Sequence, residues 1–176
     1  MKTGFAAFTL CILLLIGVTT DAADAKKRPS LPNASVKTLD GRTWSIAGQG
    51  DRVCVLHFWS LNCRPCLEVV PRLRRLNGSW KERNDVVLVS LPTDEDLIQV
   101  RRHVKRHRMS WTHLVTEKGS ALSVLAGPLG VQRMPTPYFW IVDGNGEIRG
   151  ATGNPEEARK VAERLASGLE SVVGKP

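Results

Sequence analysis

The stretch that most constrains this chain runs from Val53 to Pro71, where a short apolar segment is followed by two closely spaced cysteines. The seven residues Val-Cys-Val-Leu-His-Phe-Trp are rich in β-branched and aromatic side chains, which predicts a buried central strand. A helix-compatible segment begins at Cys63-Arg64-Pro65-Cys66. The two thiols are therefore predicted to lie at a strand-to-helix junction.

This position favours a reactive thiolate. The first turn of a helix has N–H groups without partners, and the helix dipole favours negative charge there. The pKa of a free cysteine is about 8.5, and it falls to roughly 3.5–7.5 in Cys-x-x-Cys pairs at a helix start. We expect Cys63, the N-terminal and more exposed member, to be the nucleophile. Cys66 is then the thiol that displaces a bound partner by closing an intramolecular disulfide.

Further motifs accompany the pair in a fixed order. Phe58-Trp59 precedes it, Pro71 follows it, and Met134-Pro135-Thr136 leads into a second apolar strand. With these motifs, residues 30–170 resemble thioredoxin-fold proteins, in particular the exported TlpA/ResA-like thiol-disulfide oxidoreductases. The resemblance implies an α/β fold with a central mixed β-sheet flanked by helices and an N-terminal β-hairpin extension.

The pattern of the chain predicts the following elements. They are a hairpin of Val36–Leu39 and Arg42–Ile46 with a type I′ turn at Asp40-Gly41, a helix from Cys63 to Asn77 ending near Gly78, a strand over Val86–Leu91, a helix within Thr93–Arg108, a short strand over Trp111–Val115, a hairpin of Pro137–Asp143 and Glu147–Ala151, and a last helix capped by Asn154 with Pro155 in its first turn.

The N-terminus has the pattern of a signal peptide over residues 1–25, with Ala23-Asp24-Ala25 as the cleavage site. Its apolar run from Phe5 to Val18 is shorter than the about 20 residues of a membrane span, and an uncleaved anchor is the alternative. We expect an exported protein, in the periplasm or at the outer face of the inner membrane. Residues 26–32 are predicted to be a linker and residues 33–172 one domain.

The chain is basic, with 25 Lys and Arg against 17 Asp and Glu. Export argues against nucleic acid as the target of this charge. The densest basic run predicts a solvated helix face, or alternatively a contact with a membrane surface or an acidic partner, through Arg101, Arg102, Lys105 and Arg106. We expect a monomer.

The other cysteines and the histidines do not suggest a metal site. Cys11 lies within the signal peptide, and Cys54 on the buried strand is predicted to be an inert core thiol. A zinc site would need four ligands, and His103 and His107 lie too far along the chain from the cysteine pair for a zinc finger. We expect no cofactor other than the redox-active disulfide Cys63–Cys66 and no metal.

The resemblance also implies a substrate groove. In the family a cis-proline faces the dithiol, and the backbone of the residue before it pairs with an extended substrate segment. This implies a cis-Pro135, backbone pairing through Met134 and Thr136 beside the groove, while Pro137 is predicted to begin the strand. Trp59, Arg64 and Pro65 complete the expected substrate-binding set.

Two members of that set have a further interpretation. The charge of Arg64 is expected to stabilise the Cys63 thiolate, which would make the couple less reducing, or Arg64 is simply solvated. Pro65 is predicted to act mainly as a rigid helix-start residue. The residue before Cys63 is Asn62, where thioredoxins usually have tryptophan, so the rim of the groove is less apolar.

His57 occupies the position of thioredoxin's buried aspartate. An imidazole, with an unperturbed pKa of about 6.5, can accept the Cys66 proton during the second exchange step. The alternative is a buried histidine hydrogen-bonded to the backbone. The glutamate that many TlpA/ResA-like chains carry three residues after the second cysteine is Val69 here, so the usual buried acid is not expected.

The sequence thus predicts a thiol-disulfide oxidoreductase that exchanges disulfides with protein substrates. The resemblance implies a reductase, for example one that keeps apocytochrome c reduced for cytochrome c maturation, with electrons from a membrane thiol carrier; the residues leave the direction open. One alternative is a peroxiredoxin-like peroxidase, since Ser60-x-x-Cys63 partly matches its motif, although Leu56 replaces the motif's proline. Another is a metal-binding or chaperone module.

Overall fold

The computed structural model describes residues 28–115 and 121–168. The predicted signal peptide and the last predicted residues of the domain, 169–172, lie outside the described residues. Within the described residues, every helix is too short or too polar to span a bilayer.

Seven strands form one mixed sheet. They are β1 (Ser35–Thr38), β2 (Thr43–Ser45), β3 (Val53–Trp59), β4 (Val86–Pro92), β5 (Thr112–Val115), β6 (Tyr138–Val142) and β7 (Ile148–Thr152), in the order β2-β1-β5-β4-β3-β6-β7. β4 pairs in parallel with β3 and β5, and the other neighbours are antiparallel. The predicted mixed sheet is confirmed.

Helices cover both faces of the sheet. They are α1 (Arg64–Arg83), α2 (Leu97–Arg106), α3 (Ala121–Leu125) and α4 (Pro155–Ala166). The buried residues of α1, α2 and α4 share one hydrophobic cluster with one face of the sheet, and α3 packs in a second cluster against the other face. The sequence did not predict α3, because a helix of so few residues has no measurable periodicity.

β3 is the centre of the sheet, and all seven of its residues are buried. Val55 and Trp59 face the cluster that contains α1, whereas Leu56 and Phe58 face the opposite cluster. Burying each such large apolar side chain contributes about 1.5–3 kcal/mol relative to leaving it exposed. The apolar run therefore specifies a strand that is covered on both faces, as predicted.

α1 is longer than its sequence pattern predicts. Gly78 lies inside the helix, which continues to Arg83 and ends at Asn84 in a left-handed conformation with φ 57°. Trp80 is buried beyond the glycine. A glycine inside a helix costs about 1 kcal/mol relative to alanine, and the burial of Trp80 offsets this cost. The predicted end near Gly78 is therefore wrong.

The N-terminal hairpin of β1 and β2 is confirmed, but its turn is not type I′. A type I′ turn requires positive φ at both central residues. Gly41 has φ 87°, whereas Asp40 does not have a positive φ. The carboxylate of Asp40 instead accepts hydrogen bonds from the Arg42 guanidinium, at 2.7 Å from Nη2 and 3.0 Å from Nε.

The described part of the predicted linker belongs to the domain. The Leu31 N–H donates to the Gly146 carbonyl at 2.9 Å, and the Ile148 N–H donates to the Pro29 carbonyl at 2.9 Å. The Leu31 side chain is buried in the same cluster as α3. Residues 29–31 thus bind to the β6–β7 hairpin, so main-chain pairing with the domain begins before the boundary predicted at residue 33.

The remaining predicted elements are close to the observed ones. α2 begins at Leu97, after the side chain of Asp96 accepts from the N–H groups of Ile98 and Gln99. The hairpin of β6 and β7 is confirmed. The side chain of Asn154 caps α4 by accepting from the Glu156 N–H at 2.8 Å, as its position before a first-turn proline predicts.

Candidate active site

The cysteine pair lies at the start of α1, after the short loop that follows β3. Cys63 is the N-cap of α1 and forms a disulfide with Cys66, with 5.2 Å between their Cα atoms. The Cys66 N–H lies 3.1 Å from Cys63 Sγ, in position to donate to it. Cys63 is 8% exposed and Cys66 2%, so Cys63 is the more accessible member, as predicted.

This geometry stabilises a negative charge on Cys63 once the disulfide opens. The sulfur occupies the place of an N-cap acceptor, where it meets the Cys66 N–H, which also donates to the Cys63 carbonyl at 3.1 Å, and the positive end of the α1 dipole. Hydrogen bonds to an ionised acceptor are roughly twice as strong as neutral ones. The thiolate therefore gains more from this position than the thiol does.

The loop between β3 and α1 is held by β4 and the residues after it. The Leu61 N–H donates to the Asp94 carboxylate at 2.8 Å, and the Thr93 N–H donates to the Trp59 carbonyl at 2.8 Å. Cys63 itself donates its N–H to the Ser60 carbonyl at 3.2 Å. Asp94 was missed by the sequence analysis, since an acid before a helix gives no signal of a contact over 33 positions.

Trp59 is the last residue of β3 and is buried directly before this loop. It is 1% exposed, and its ring stacks on His103 of α2 with 5.0 Å between centroids. The expectation that Trp59 contacts substrate directly is therefore wrong for this state of the protein. The reason is that β3 is covered on both faces, so its last residue packs beneath α2.

Arg64 and Pro65 are both exposed at the start of α1. The Arg64 side chain is 91% exposed and pairs with Glu68 at 3.5 Å, one turn along the helix. This is the solvated arrangement considered above, in which most of the charge is screened by water. Pro65 lies in the first helical turn, where its missing N–H costs nothing, as predicted.

The segment before β6 lies at the same edge of the sheet as the dithiol. Tyr138 is paired with Phe58, so Met134, Pro135 and Thr136 precede β6 beside the end of β3. Among the described residues, the cis peptide bond is Thr136–Pro137, and the prediction of a cis-Pro135 is wrong. The trans preference of an X–Pro bond is only about 0.5–1 kcal/mol, so a motif does not choose between two prolines that are separated by a single residue.

A polar row crosses the sheet on the face that carries α1. His57 on β3 is in register with Ser90 on β4, which is in register with His113 on β5. The Trp111 Nε1–H donates to Ser90 Oγ at 2.6 Å, and Ser90 Oγ lies 3.0 Å from His57 Nδ1. Of this group the sequence singled out only His57, because a serine, a tryptophan or a second histidine within a predicted strand gives no signal of its contacts.

The hydrogen bonds of Ser90 favour one tautomer of His57. Because Ser90 Oγ accepts from Trp111, its own hydrogen is available to donate to His57 Nδ1, which leaves the ring proton on Nε2. Burial, together with the nearby His113, lowers the pKa of His57 to about 3, so the ring is neutral at pH 7. The partner of His57 is thus a serine side chain and not the backbone.

The Nε2 atom of His57 is buried and has no hydrogen-bond partner among the described residues. Val55 and Trp59, the neighbours of His57 on its own face, share a cluster with Cys63 and Cys66. Phe139 of the same cluster stacks on the His57 ring with 4.9 Å between centroids. His57 therefore lies on the dithiol side of the sheet with an unpartnered Nε2 atom.

Cys54 lies on the opposite face, and its environment is different. It is a free, buried cysteine, and burial raises its pKa to about 12. The prediction of an inert core thiol is confirmed. In the described part of the chain, histidines, cysteines and acids do not gather in threes or more as a metal would require.

Comparison with known proteins agrees with this geometry. A family model described as Thioredoxin-like matches residues 50–148. The chain belongs to this thioredoxin-like family. The match includes the buried strand, the cysteine pair and the β6 strand.

Relatives and solved structures support the same family. The chain is 28% identical to the thioredoxin-like protein YneN of Bacillus subtilis over 67% of this chain and 66% of that protein. It is 27% identical to the thiol-disulfide oxidoreductase ResA of Halalkalibacterium halodurans, over 73% of this chain and 69% of the relative. The chain thus spans about two thirds of the length of these relatives. The resemblance to the ResA group is confirmed.

The fold is shared with a thiol-disulfide oxidoreductase from Bacteroides fragilis, at a TM-score of 0.66 and 21% identity, over 78% of this chain and 99% of that one. This confirms the thioredoxin-like α/β fold with helices on both faces. Within that fold, Cys63 and Cys66 form a disulfide.

Proposed function

We propose that this chain is an exported reductase of protein disulfides that works through Cys63 and Cys66. The observation that carries the proposal is the position of Cys63, whose sulfur caps α1 and is already joined to Cys66 in a disulfide. The sequence of residues 1–25 supports export, and the names of the ResA-type relatives support the reaction class.

The reaction is a pair of thiol-disulfide exchanges. The Cys63 thiolate attacks one sulfur of a substrate disulfide, that bond breaks, and the released substrate thiolate takes up a proton. The Cys66 thiolate then attacks Cys63 Sγ in the mixed disulfide and releases the second substrate thiol. The substrate gains two electrons and the protein ends with the Cys63–Cys66 disulfide, which a membrane thiol carrier would reduce again.

His57 is proposed to assist the second exchange. The sequence suggested that it accepts the Cys66 proton, but the hydrogen bonds of Ser90 favour a neutral ring with its proton on Nε2. Such a ring can donate a hydrogen bond to the Cys66 thiolate when the disulfide opens, which lowers the pKa of Cys66. Both roles act on the Cys66 step.

The substrate is proposed to bind in extended form against the backbone of Met134, Pro135 and Thr136. The support for this groove is that the segment lies at the dithiol edge of the sheet and is partly exposed. Apocytochrome c, or another exported protein with a pair of cysteines, is the proposed substrate class, as the resemblance to the ResA group implies.

A redox titration of the Cys63/Cys66 pair tests the direction of electron flow. A potential of about −270 mV, as in thioredoxin, is expected for a reductase. A potential of about −120 mV, as in a strong oxidant, would contradict the reductive role but not the exchange of disulfides itself. Failure to exchange with any protein disulfide would contradict the proposal as a whole.

A further inference from the structure

A cleft of about 460 Å³ opens beside the active-site loop, on the α2 side of the dithiol. It is lined by Leu61, Asn62, Asp96, Ile98, Gln99, Arg102, His103 and Arg106. One wall is thus formed by the two residues directly before Cys63, and the other by α2 with its N-cap. We call this the basic cleft.

A second cleft of about 320 Å³ adjoins the basic cleft and lies between α1 and the end of α2. The two share Arg106, and the second adds Arg74 and Arg108. A positively charged groove therefore runs along α2 and ends at the active-site loop. It is separate from the segment Met134 to Thr136, which lines neither cleft.

The cations of α2 are not neutralised within the described residues. In residues 28–115 and 121–168, none of the ion pairs within 4.0 Å involves Arg102 or Arg106. Arg102 has an acid in its neighbourhood, Asp96, which does not form a salt bridge with it. By contrast, Arg159 on α4 pairs with both Glu156 and Glu163. The charge of α2 is therefore available to a partner.

The basic cleft also contains an apolar contact surface. Ile98 is 67% exposed and is the large hydrophobic side chain that stands out as exposed among the described residues. It lines the cleft together with Leu61, which is partly buried. Ile98 therefore gives the charged cleft an exposed apolar side chain, against which an apolar side chain of a partner can pack.

We propose that the basic cleft binds an acidic polypeptide segment that flanks the reactive cysteine of the substrate protein. Carboxylates of that segment pair with Arg102 and Arg106, and one apolar side chain packs on Ile98. The segment then leads the disulfide to Cys63, next to Asn62 at the end of the cleft. This assignment rests on the proposed exchange with protein disulfides and specifies which proteins are favoured.

A polypeptide fits this site better than a membrane surface does. Arg102 and Arg106 line a concave cleft, which an extended chain can enter, whereas a bilayer presents a broad surface of headgroups. Two acids lie at the end of the cleft that is next to the active-site loop: Asp96 lines it, and Asp94 accepts from the Leu61 N–H. They would repel anionic headgroups, while a peptide can place its own carboxylates away from them.

The test compares disulfide-linked peptides that differ only in the residues next to their cysteine. One peptide carries Glu-Leu-Glu there and the matched peptide carries Lys-Ser-Lys. For the full chain we expect kcat/KM for the acidic peptide to be at least about tenfold higher at low salt, and the ratio to fall as salt is added. The variant R102E/R106E should reverse or abolish the ratio.

The control variant is R101E/K105E, which makes the same change in net charge on the same helix. Arg101 and Lys105 are exposed but line a different cleft. We expect this variant to keep most of the preference for the acidic peptide. Equal loss of preference in both variants, or no preference in the unmodified chain, would overturn the assignment of the cleft.

Two further measurements separate the other outcomes. Reduction of the small neutral hydroxyethyl disulfide should be unchanged in R102E/R106E; if the unmodified chain does not reduce it, the proposed function fails and not merely the cleft. Binding to vesicles of phosphatidylserine and phosphatidylcholine should be weak. Strong vesicle binding that R102E/R106E abolishes, with unchanged peptide kinetics, would assign the surface to a membrane and overturn the proposal.

A variant at Ile98 tests the apolar contact independently. Because this side chain is exposed, I98S should leave the folded protein intact. We expect KM for the Glu-Leu-Glu peptide to rise about threefold, with no change for a Glu-Ser-Glu peptide. An equal KM for both peptides in the unmodified chain would show that no apolar side chain binds at Ile98.

Discussion

On one face of the central sheet, β3 presents His57 between Val55 and Trp59, and on the other face it presents Cys54, Leu56 and Phe58. The first face carries the dithiol helix and a buried hydrogen-bonded row of Trp111, Ser90 and His57, with His113 stacked on Trp111. The second face is packed with apolar side chains around the remaining thiol.

The difference teaches that location decides what a cysteine does in this protein. Cys54 is held in the middle of a strand, where burial raises its pKa to about 12. Cys63 lies a few residues later, at the N-terminus of a helix, where an N–H group meets its sulfur. The same residue type is thus held neutral by burial on one face and lies where a thiolate would be stabilised at the end of the other.

The largest expected effect comes from substituting Cys63 and Cys54 one at a time. C63S removes the attacking thiolate, and we expect disulfide reduction to fall by at least about a thousandfold. C54A should keep the rate of reduction, although it should lower the free energy of unfolding by about 1–2 kcal/mol through the small cavity it leaves. An insulin reduction assay measures the rate of reduction, and urea unfolding measures the free energy of unfolding. Loss of activity in C54A would break the comparison.

The polar face should also make stability depend on pH. Burial lowers the pKa of His57 to about 3 and that of His113 to about 4, while the unfolded chain has values of about 6.5. The contribution of these two neutral histidines to the free energy of unfolding is therefore fully present above pH 6.5. It is lost as the pH falls from there, because only the unfolded state binds the protons. The expected slope is about 1.4 kcal/mol per pH unit for each histidine.

Urea unfolding between pH 7 and 5 measures this slope above the range in which carboxylates titrate. NMR titration gives a second measurement in the folded state, where the rings of His57 and His113 should remain neutral down to at least about pH 5. A ring that titrates near pH 6.5 in the folded protein would show that the polar row is open to water.

Removal of the central hydroxyl tests the hydrogen-bonded row. S90A leaves His57 Nδ1 and the Trp111 N–H without a partner in the core. We expect a loss of about 1–3 kcal/mol in the free energy of unfolding, the usual cost of leaving buried polar groups unsatisfied. The double variant S90A/W111F should recover part of the loss. No loss in S90A would mean that water takes over the role of the hydroxyl.

A smaller effect is expected on the kinetics of the second exchange. H57A should slow resolution of the mixed disulfide by about tenfold and leave its formation nearly unchanged, because His57 acts on Cys66 and not on Cys63. Stopped-flow measurement with a fluorescent peptide disulfide separates the two steps. Equal slowing of both would assign His57 a packing role alone.

Much of the fold could be predicted from the sequence because hydrophobic patterns reflect burial directly. The run Val53 to Trp59 and the apolar strands on either side gave the centre of the sheet. The prediction was less accurate where a tertiary contact overrides a local signal, as at Gly78, which Trp80 holds inside α1. The pairing of residues 29–31 with the β6–β7 hairpin left no local pattern at all.

The candidate site shows the same limit. Cys63 and Cys66 were identified because their spacing and position are a local pattern. The contact of Asp94 with the active-site loop and the row through Ser90 and Trp111 join residues far apart in the chain. The proline motif predicted the right segment but the wrong cis bond, and the pattern could not show that Trp59 is buried.

The central claim is that Cys63 attacks protein disulfides and Cys66 resolves the product. Trapping with the variant C66S tests it most directly, because the mixed disulfide then cannot be resolved. After reaction with a disulfide-bonded protein, we expect mass spectrometry to show one covalent adduct per chain, at Cys63. No adduct, or an adduct at Cys54, would contradict the account.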